Sequence, residues 1–127
     1  MYQREDVNKI IQRFISLVSQ EFPVKTLYLF GSYAMGNASD CSDIDIAIVS
    51  DKFEGRRFWD REKLGKYVIK SSFDLEVHPF KTEDFTVDDP FVKEIRKSVD
   101  VDLDALNRVY AAGTLLGTDS LDPLTAV

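Results

Sequence analysis

Residues 29–49 read LFGSYAMGNASDCSDIDIAIV. The end of this stretch alternates: Ile44, Ile46 and Ile48 share one face, and Asp45, Ala47 and Val49 share the other. Asp43 extends the second face at the entrance. The pattern predicts a strand over 44–50 whose mouth carries two carboxylates. Ahead of it, residues 31–43 are rich in Gly, Ser, Asn and Asp, which predicts a loop, with one helical turn starting at Ser32. Further back, KTLYLF (25–30) is short, apolar and aromatic, the composition of a buried strand. Strand, loop, strand is therefore the nucleus of the fold. It sets Gly31-Ser32 at the end of one strand and Asp43 and Asp45 at the start of the next.

The flanks supply the covering elements. Over 5–22, Val7, Ile10, Ile11, Phe14, Leu17 and Val18 recur at spacings of three and four, which predicts an amphipathic helix stopped by Pro23. Residues 51–55 read as a turn. Residues 56–72 read as a helix with Phe58, Trp59, Leu64, Tyr67 and Val68 inward, weakened by Gly65. FDLEVHPF (73–80) alternates, with Phe73, Leu75 and Val77 on one side, Asp74, Glu76 and His78 on the other, and Pro79 as its stop. Asp89 is placed to cap a helix with Pro90 at its first position and a stripe of Phe91, Ile95 and Val99. Residues 103–110 read as weakly helical or extended. The order α-β-turn-β-α-β-α predicts an α/β fold, a small mixed sheet packed with helices, over residues 1–110. The tail 111–127 has little charge and no period, and reads as disordered or as a partner-docking segment.

Composition narrows the function classes. The chain has 127 residues, the size of one domain. Sixteen basic and twenty-two acidic residues give a net charge of −6, which argues against general nucleic-acid binding but not against a nucleotide. Cys41 is the single cysteine, so no internal disulfide forms, and it lies near no identifiable base. No apolar run approaches a membrane span and MYQREDVNK has no signal-peptide pattern, so the expected location is cytoplasmic.

If the two acidic strands are neighbours, Asp43 and Asp45 meet Asp74 and Glu76. At about 4 Å and an effective dielectric near 20, each like-charge pair costs on the order of 4 kcal/mol. Protonation, solvent exposure or a cation must relieve it. An oxygen-rich set suits Mg²⁺ or Mn²⁺ better than Zn²⁺. His78 reads as a surface or hydrogen-bonded side chain, Trp59 as core, and the Lys/Arg of 56–70 as a solvated helix face from which one could reach a phosphate. Gly31 lets a backbone approach phosphate closely, and Ser32 adds a hydroxyl donor. These parts suit phosphoryl-type transfer.

The stretch GSYAMGNASDCSDIDIAIV resembles the signature of the polymerase-beta-like nucleotidyltransferase superfamily: Gly-Ser, a variable loop, then Asp-x-Asp. With its brevity and the later FDLEVHPFKTEDF, the chain is similar to the minimal nucleotidyltransferases, a group that includes antitoxins paired with HEPN-domain toxins. The similarity spans about residues 8–100. It implies a palm-like fold and transfer of AMP from ATP to a hydroxyl, with two Mg²⁺ assisting. It also implies that Gly31 and Ser32 contact the triphosphate and that Asp43 and Asp45 hold metal. Asp74 would be the third carboxylate, with Glu76 its rival on the same strand face. Larger relatives carry a helical domain around the acceptor, and no such segment is visible here. The acceptor site is then completed by another subunit, as in a homo-oligomer, or the acceptor is itself a protein, by the resemblance a tyrosine of a helical HEPN partner. Two alternatives stand beside this: a small-molecule transferase of the aminoglycoside-modifying sort, and a non-catalytic toxin-binding module.

Overall fold

In the computed structural model, which describes residues 1–110, the alternation at 44–50 is realised as strand β2 (Ile44–Ser50). β1 (Thr26–Phe30) lies antiparallel beside it, with Phe30 opposite Asp45. β3 (Leu75–Lys81) lies parallel on the other side, with Asp45 opposite Glu76 and Ala47 opposite His78. A two-residue strand, β4 (Val99–Asp100), pairs with β1 and completes the order β3-β2-β1-β4. The mixed sheet packed with helices agrees with the predicted α/β class.

The helices are α1 (Arg4–Val18), α2 (Ser32–Met35), α3 (Arg57–Ser71), α4 (Pro90–Ile95) and α5 (Leu103–Tyr110). One sheet face, with Leu27, Leu29, Ile44, Ile46, Ile48, Leu75 and Val77, is buried under Ile11 and Phe14 of α1, Leu64 of α3 and Leu106 of α5. The opposite face carries Tyr28, Ala47, Val49 and Phe80 and is covered by Val92 and Ile95 of α4. Burying each large aliphatic side chain stabilises by about 1.5–3 kcal/mol, so the three isoleucines of β2 fix its register. A slip of one residue would drive Asp45 into the helix-covered core. The acidic positions therefore fall on the α4 side, near its uncovered end.

Several expectations are corrected. α1 ends at Val18 rather than at 22, and Phe22 folds back buried, its amide 2.7 Å from the Val18 carbonyl. Phe58 and Trp59 are not inward: they are 69% and 50% exposed and pack edge to face on each other at 5.1 Å. The inward seat in the first turn of α3 is taken by Asp60, buried, whose carboxylate accepts the amides of Glu54 at 2.9 Å and Gly55 at 3.0 Å. With Asp60 and Leu64 inward, Phe58 lies roughly 200° around the helix. Phe73 is 83% exposed, because β3 begins only at Leu75. Pro79 does not end β3. The Asp74 carbonyl accepts from the Ile44 amide at 2.8 Å, so by alternation the nitrogen of Pro79 points to the open edge, where no ladder bond is lost. Val99 belongs to β4 and not to a helical stripe.

Asp89 caps α4 as predicted, accepting from the Phe91 amide at 2.9 Å, and residues 103–110 are helical, with Asp102 accepting from Ala105 at 3.0 Å. Among the described residues no helix is long and apolar enough to cross a membrane. The predicted tail, 111–127, lies outside the described residues.

Candidate active site

Gly31 is where β1 meets β2's acids. It follows Phe30, the partner of Asp45, and turns the chain with φ +77°. A Cβ on Gly31 would sit 2.5 Å from Oδ2 of Asp45, well inside contact distance. Glycine is thus required twice, for the left-handed φ and for the carboxylate beneath it. The predicted helical turn begins at Ser32. Its Ala34 and Met35 amides both donate to the Gly31 carbonyl, at 3.1 and 3.0 Å, and Gly36 at φ +80° ends it. This short turn holds Gly31 in place against Asp45.

Asp45 does not stand alone. Ligand-type atoms of Asp45, Glu76 and His78 all lie within 4.8 Å of one another. Arg61 of α3 reaches over the edge of β3 and donates to Oε2 of Glu76 at 3.0 Å. Nε2 of His78 is 3.5 Å from Oδ1 of Asp45, is buried, and has no hydrogen-bond partner among the described residues. Its ring is held between Phe30, at 5.1 Å, and Phe91, at 5.7 Å. Arg57 lies over Phe80 and Phe91 at 5.2 and 5.3 Å.

The electrostatics follow from the crowding. Partial burial, the hydrogen bond and charge of Glu76, and the charge of Asp43 push the Asp45 carboxyl up to about 6. Desolvation works in the same direction at Glu76. The hydrogen bonds from Arg61 and Asp45 overcome it and hold Glu76 below the usual range. Desolvation, with the arginines Arg61 and Arg57 nearby, pulls His78 down against the opposing pull of Glu76, so the ring is neutral at pH 7. Two carboxylates with one half-buried imidazole fit a divalent cation, whose charge would offset the burial and the like charges that lift Asp45.

The structure sorts the predicted residues unequally. Gly31 and Asp45 are brought together, and Ser32 follows Gly31 as the first residue of the helical turn. Asp43 is exposed at the mouth of β2, where its charge acts on Asp45. Asp74 is exposed one residue before β3, and its carboxylate accepts the hydroxyl of Tyr2 at 2.6 Å. It is Glu76, not Asp74, that is brought against Asp45. His78 is neither a surface group nor a hydrogen-bonded one. Arg61 enters the site from the helix face read as solvated. Its spacing of four from Arg57 was the available signal. A depression of about 380 Å³ adjoins the far end of β3, lined by Arg57, Phe80, Lys81, Asp84 and Asp89 among others, and the acidic group itself lies outside it.

A family model described as "Nucleotidyltransferase domain" matches residues 11–103. A Methanocaldococcus jannaschii protein named "Putative protein adenylyltransferase MJ1379" is 30% identical over 98 residues, 77% of this chain and 92% of that protein. A second protein from that organism, named "Putative protein adenylyltransferase MJ1305", is 32% identical over 65 residues, 50% of this chain and 44% of its own length. In fold, the chain is similar to a crystal structure of "a putative nucleotidyltransferase from Sulfolobus solfataricus" (TM-score 0.57, 20% identity), covering 77% of this chain and 81% of the other.

Proposed function

This chain belongs to the nucleotidyltransferase domain family, and on that premise we propose that it transfers AMP from ATP to a hydroxyl on a protein. The observation that carries the reading is the meeting of Gly31 with Asp45, and of Asp45 with Glu76. Phosphate loop and acids share one point.

Asp43, Asp45 and Glu76 are the carboxylates that would hold Mg²⁺, and Glu76 replaces Asp74 as the third. When bound, the cation supplies neutralisation of the triphosphate and polarisation of its phosphoryl oxygens. Gly31, lacking a side chain, admits a phosphate close to the backbone, and Ser32 can donate its hydroxyl to it. Arg61 keeps Glu76 ionised, which makes Glu76 the near base for the acceptor's proton. The acceptor oxygen attacks the α-phosphorus, the bond to the bridging oxygen of the β-phosphate breaks, and pyrophosphate leaves.

The acceptor class rests on two supports: the names of the relatives, both named as protein adenylyltransferases, and the exposure of Asp43 at the mouth of β2. By the sequence resemblance, a tyrosine of a helical HEPN-type partner is the first acceptor to try. The test is incubation with α-labelled ATP and Mg²⁺, with and without such a partner. Label on the partner, lost in the double substitution Asp43→Ala and Asp45→Ala, is the expected result. Label on an added aminoglycoside instead would assign a small-molecule acceptor. Neutralisation of the partner with no label anywhere would leave only a binding role.

A further inference from the structure

We propose that His78 is a metal ligand of this site, through Nε2, and that it raises the site's affinity for Mn²⁺ relative to Mg²⁺. The inference rests on the reading above that Asp45 and Glu76 hold a divalent cation.

Three observations meet at this ring. Among the described residues Nε2 has no hydrogen-bond partner, although it is buried and an imidazole nitrogen removed from water needs one. The polar group in front of it is the carboxylate of Asp45, whose Oδ1 is 3.5 Å away. That contact is too long for a good hydrogen bond, but the atoms of Asp45, Glu76 and His78 lie close enough together to share an ion. The ring is also positioned in advance. Phe30 and Phe91 clamp it from β1 and α4, and its strand neighbour across β2 is Ala47, which leaves it room. A ring placed only for packing would not need to point its nitrogen at the acids.

The chemistry decides the ion. Mg²⁺ takes oxygen ligands and keeps its waters, whereas imidazole suits the first-row transition metals. One imidazole moves the preference from Mg²⁺ toward the first-row transition metals, and among these Mn²⁺ is the one that also suits a set dominated by carboxylate oxygens. Replacing His78 by Gln leaves the carboxylates in place, so Mg²⁺ binding changes little.

His78 is the one histidine of the chain, so a ¹⁵N-histidine label reports on it alone. The full chain, labelled in this way, is loaded with Mn²⁺ with and without a non-hydrolysable ATP analogue, and the electron spin echo of the bound ion is recorded. A ¹⁵N coupling to Mn²⁺ is expected. In His78→Gln, Mn²⁺ affinity measured by calorimetry should fall about tenfold while Mg²⁺ affinity stays nearly constant. Bound Mn²⁺ with no ¹⁵N coupling would overturn the ligand role and leave the transferase reading intact. No Mn²⁺ binding in either condition would overturn both the ligand role and the metal site it rests on. The label works in the unaltered protein, so the test does not depend on the variant folding.

Discussion

At the scale of single residues, Gly31 and Gly36 form a natural comparison. Both have positive φ, but a Cβ at Gly31 meets Asp45 whereas one at Gly36 meets nothing within 4 Å. Gly36→Ala should cost about 1–2 kcal/mol in denaturant unfolding and leave transfer intact. Gly31→Ala should cost about 2–4 kcal/mol, because backbone strain and a clash add, and should abolish transfer. Asp45 gives a pH prediction. Its raised carboxyl keeps its proton in the fold at pH values where the unfolded chain has lost it. Without metal, its contribution is present below the ordinary carboxylate range and is lost as pH rises through about 6. The depressed Glu76 contributes with the opposite sign, lost as pH falls. Asp45→Asn should therefore melt higher than the parent at pH 8 without metal, and the advantage should vanish in mild acid. The choice between Asp74 and Glu76 was not legible in the sequence. Both lie on one face of an alternating strand, and which one stands opposite Asp45 depends on the register between β2 and β3. That register is set by Ile44 pairing with Leu75 and by the buried faces on either side.

At the scale of elements, β2 was legible in full because one face is apolar and buried and the other begins with charge. The helical turn at Ser32 and the Asp89 cap were legible for a similar reason: local chemistry alone specifies them. α3 was misread at its start. Periodicity assigns aromatic side chains inward by default, and nothing in the sequence announces that a carboxylate will take that seat. Asp60 holds the 54–55 turn through two amides, and it thereby sets the start of the helix that carries Arg61 to Glu76 and Arg57 over Phe80 and Phe91. Asp60→Ala should leave those amides unpaired and cost about 1–3 kcal/mol. Asp89→Ala, which removes only a helix cap, should cost about 1 kcal/mol. Chemical denaturation gives both values. The transfer rate should fall further in the Asp60 variant, since its loss loosens the arginines as well.

At the scale of the whole molecule, the division of labour between the two sheet faces is the organising fact. Three helices seal one face, and the short α4 covers the other, on which Asp45 and Glu76 remain partly exposed. A ligand that binds only the folded state raises stability by about 2.7 kcal/mol at a hundred times its dissociation constant. Mg²⁺ and ATP together should accordingly raise the melting temperature of the parent and leave the Asp43→Ala, Asp45→Ala double variant unmoved, as read by calorimetry. The edges of the sheet carry a different consequence. On one side Pro79 removes an outward amide, and on the other β4 offers two residues of backbone. Among the described residues, neither edge provides the unbroken row of donors and acceptors on which a foreign strand could template itself. The described sheet is thus poorly suited to self-propagating aggregation, and a partner that meets it at an edge is left to grip side chains instead of extending the ladder.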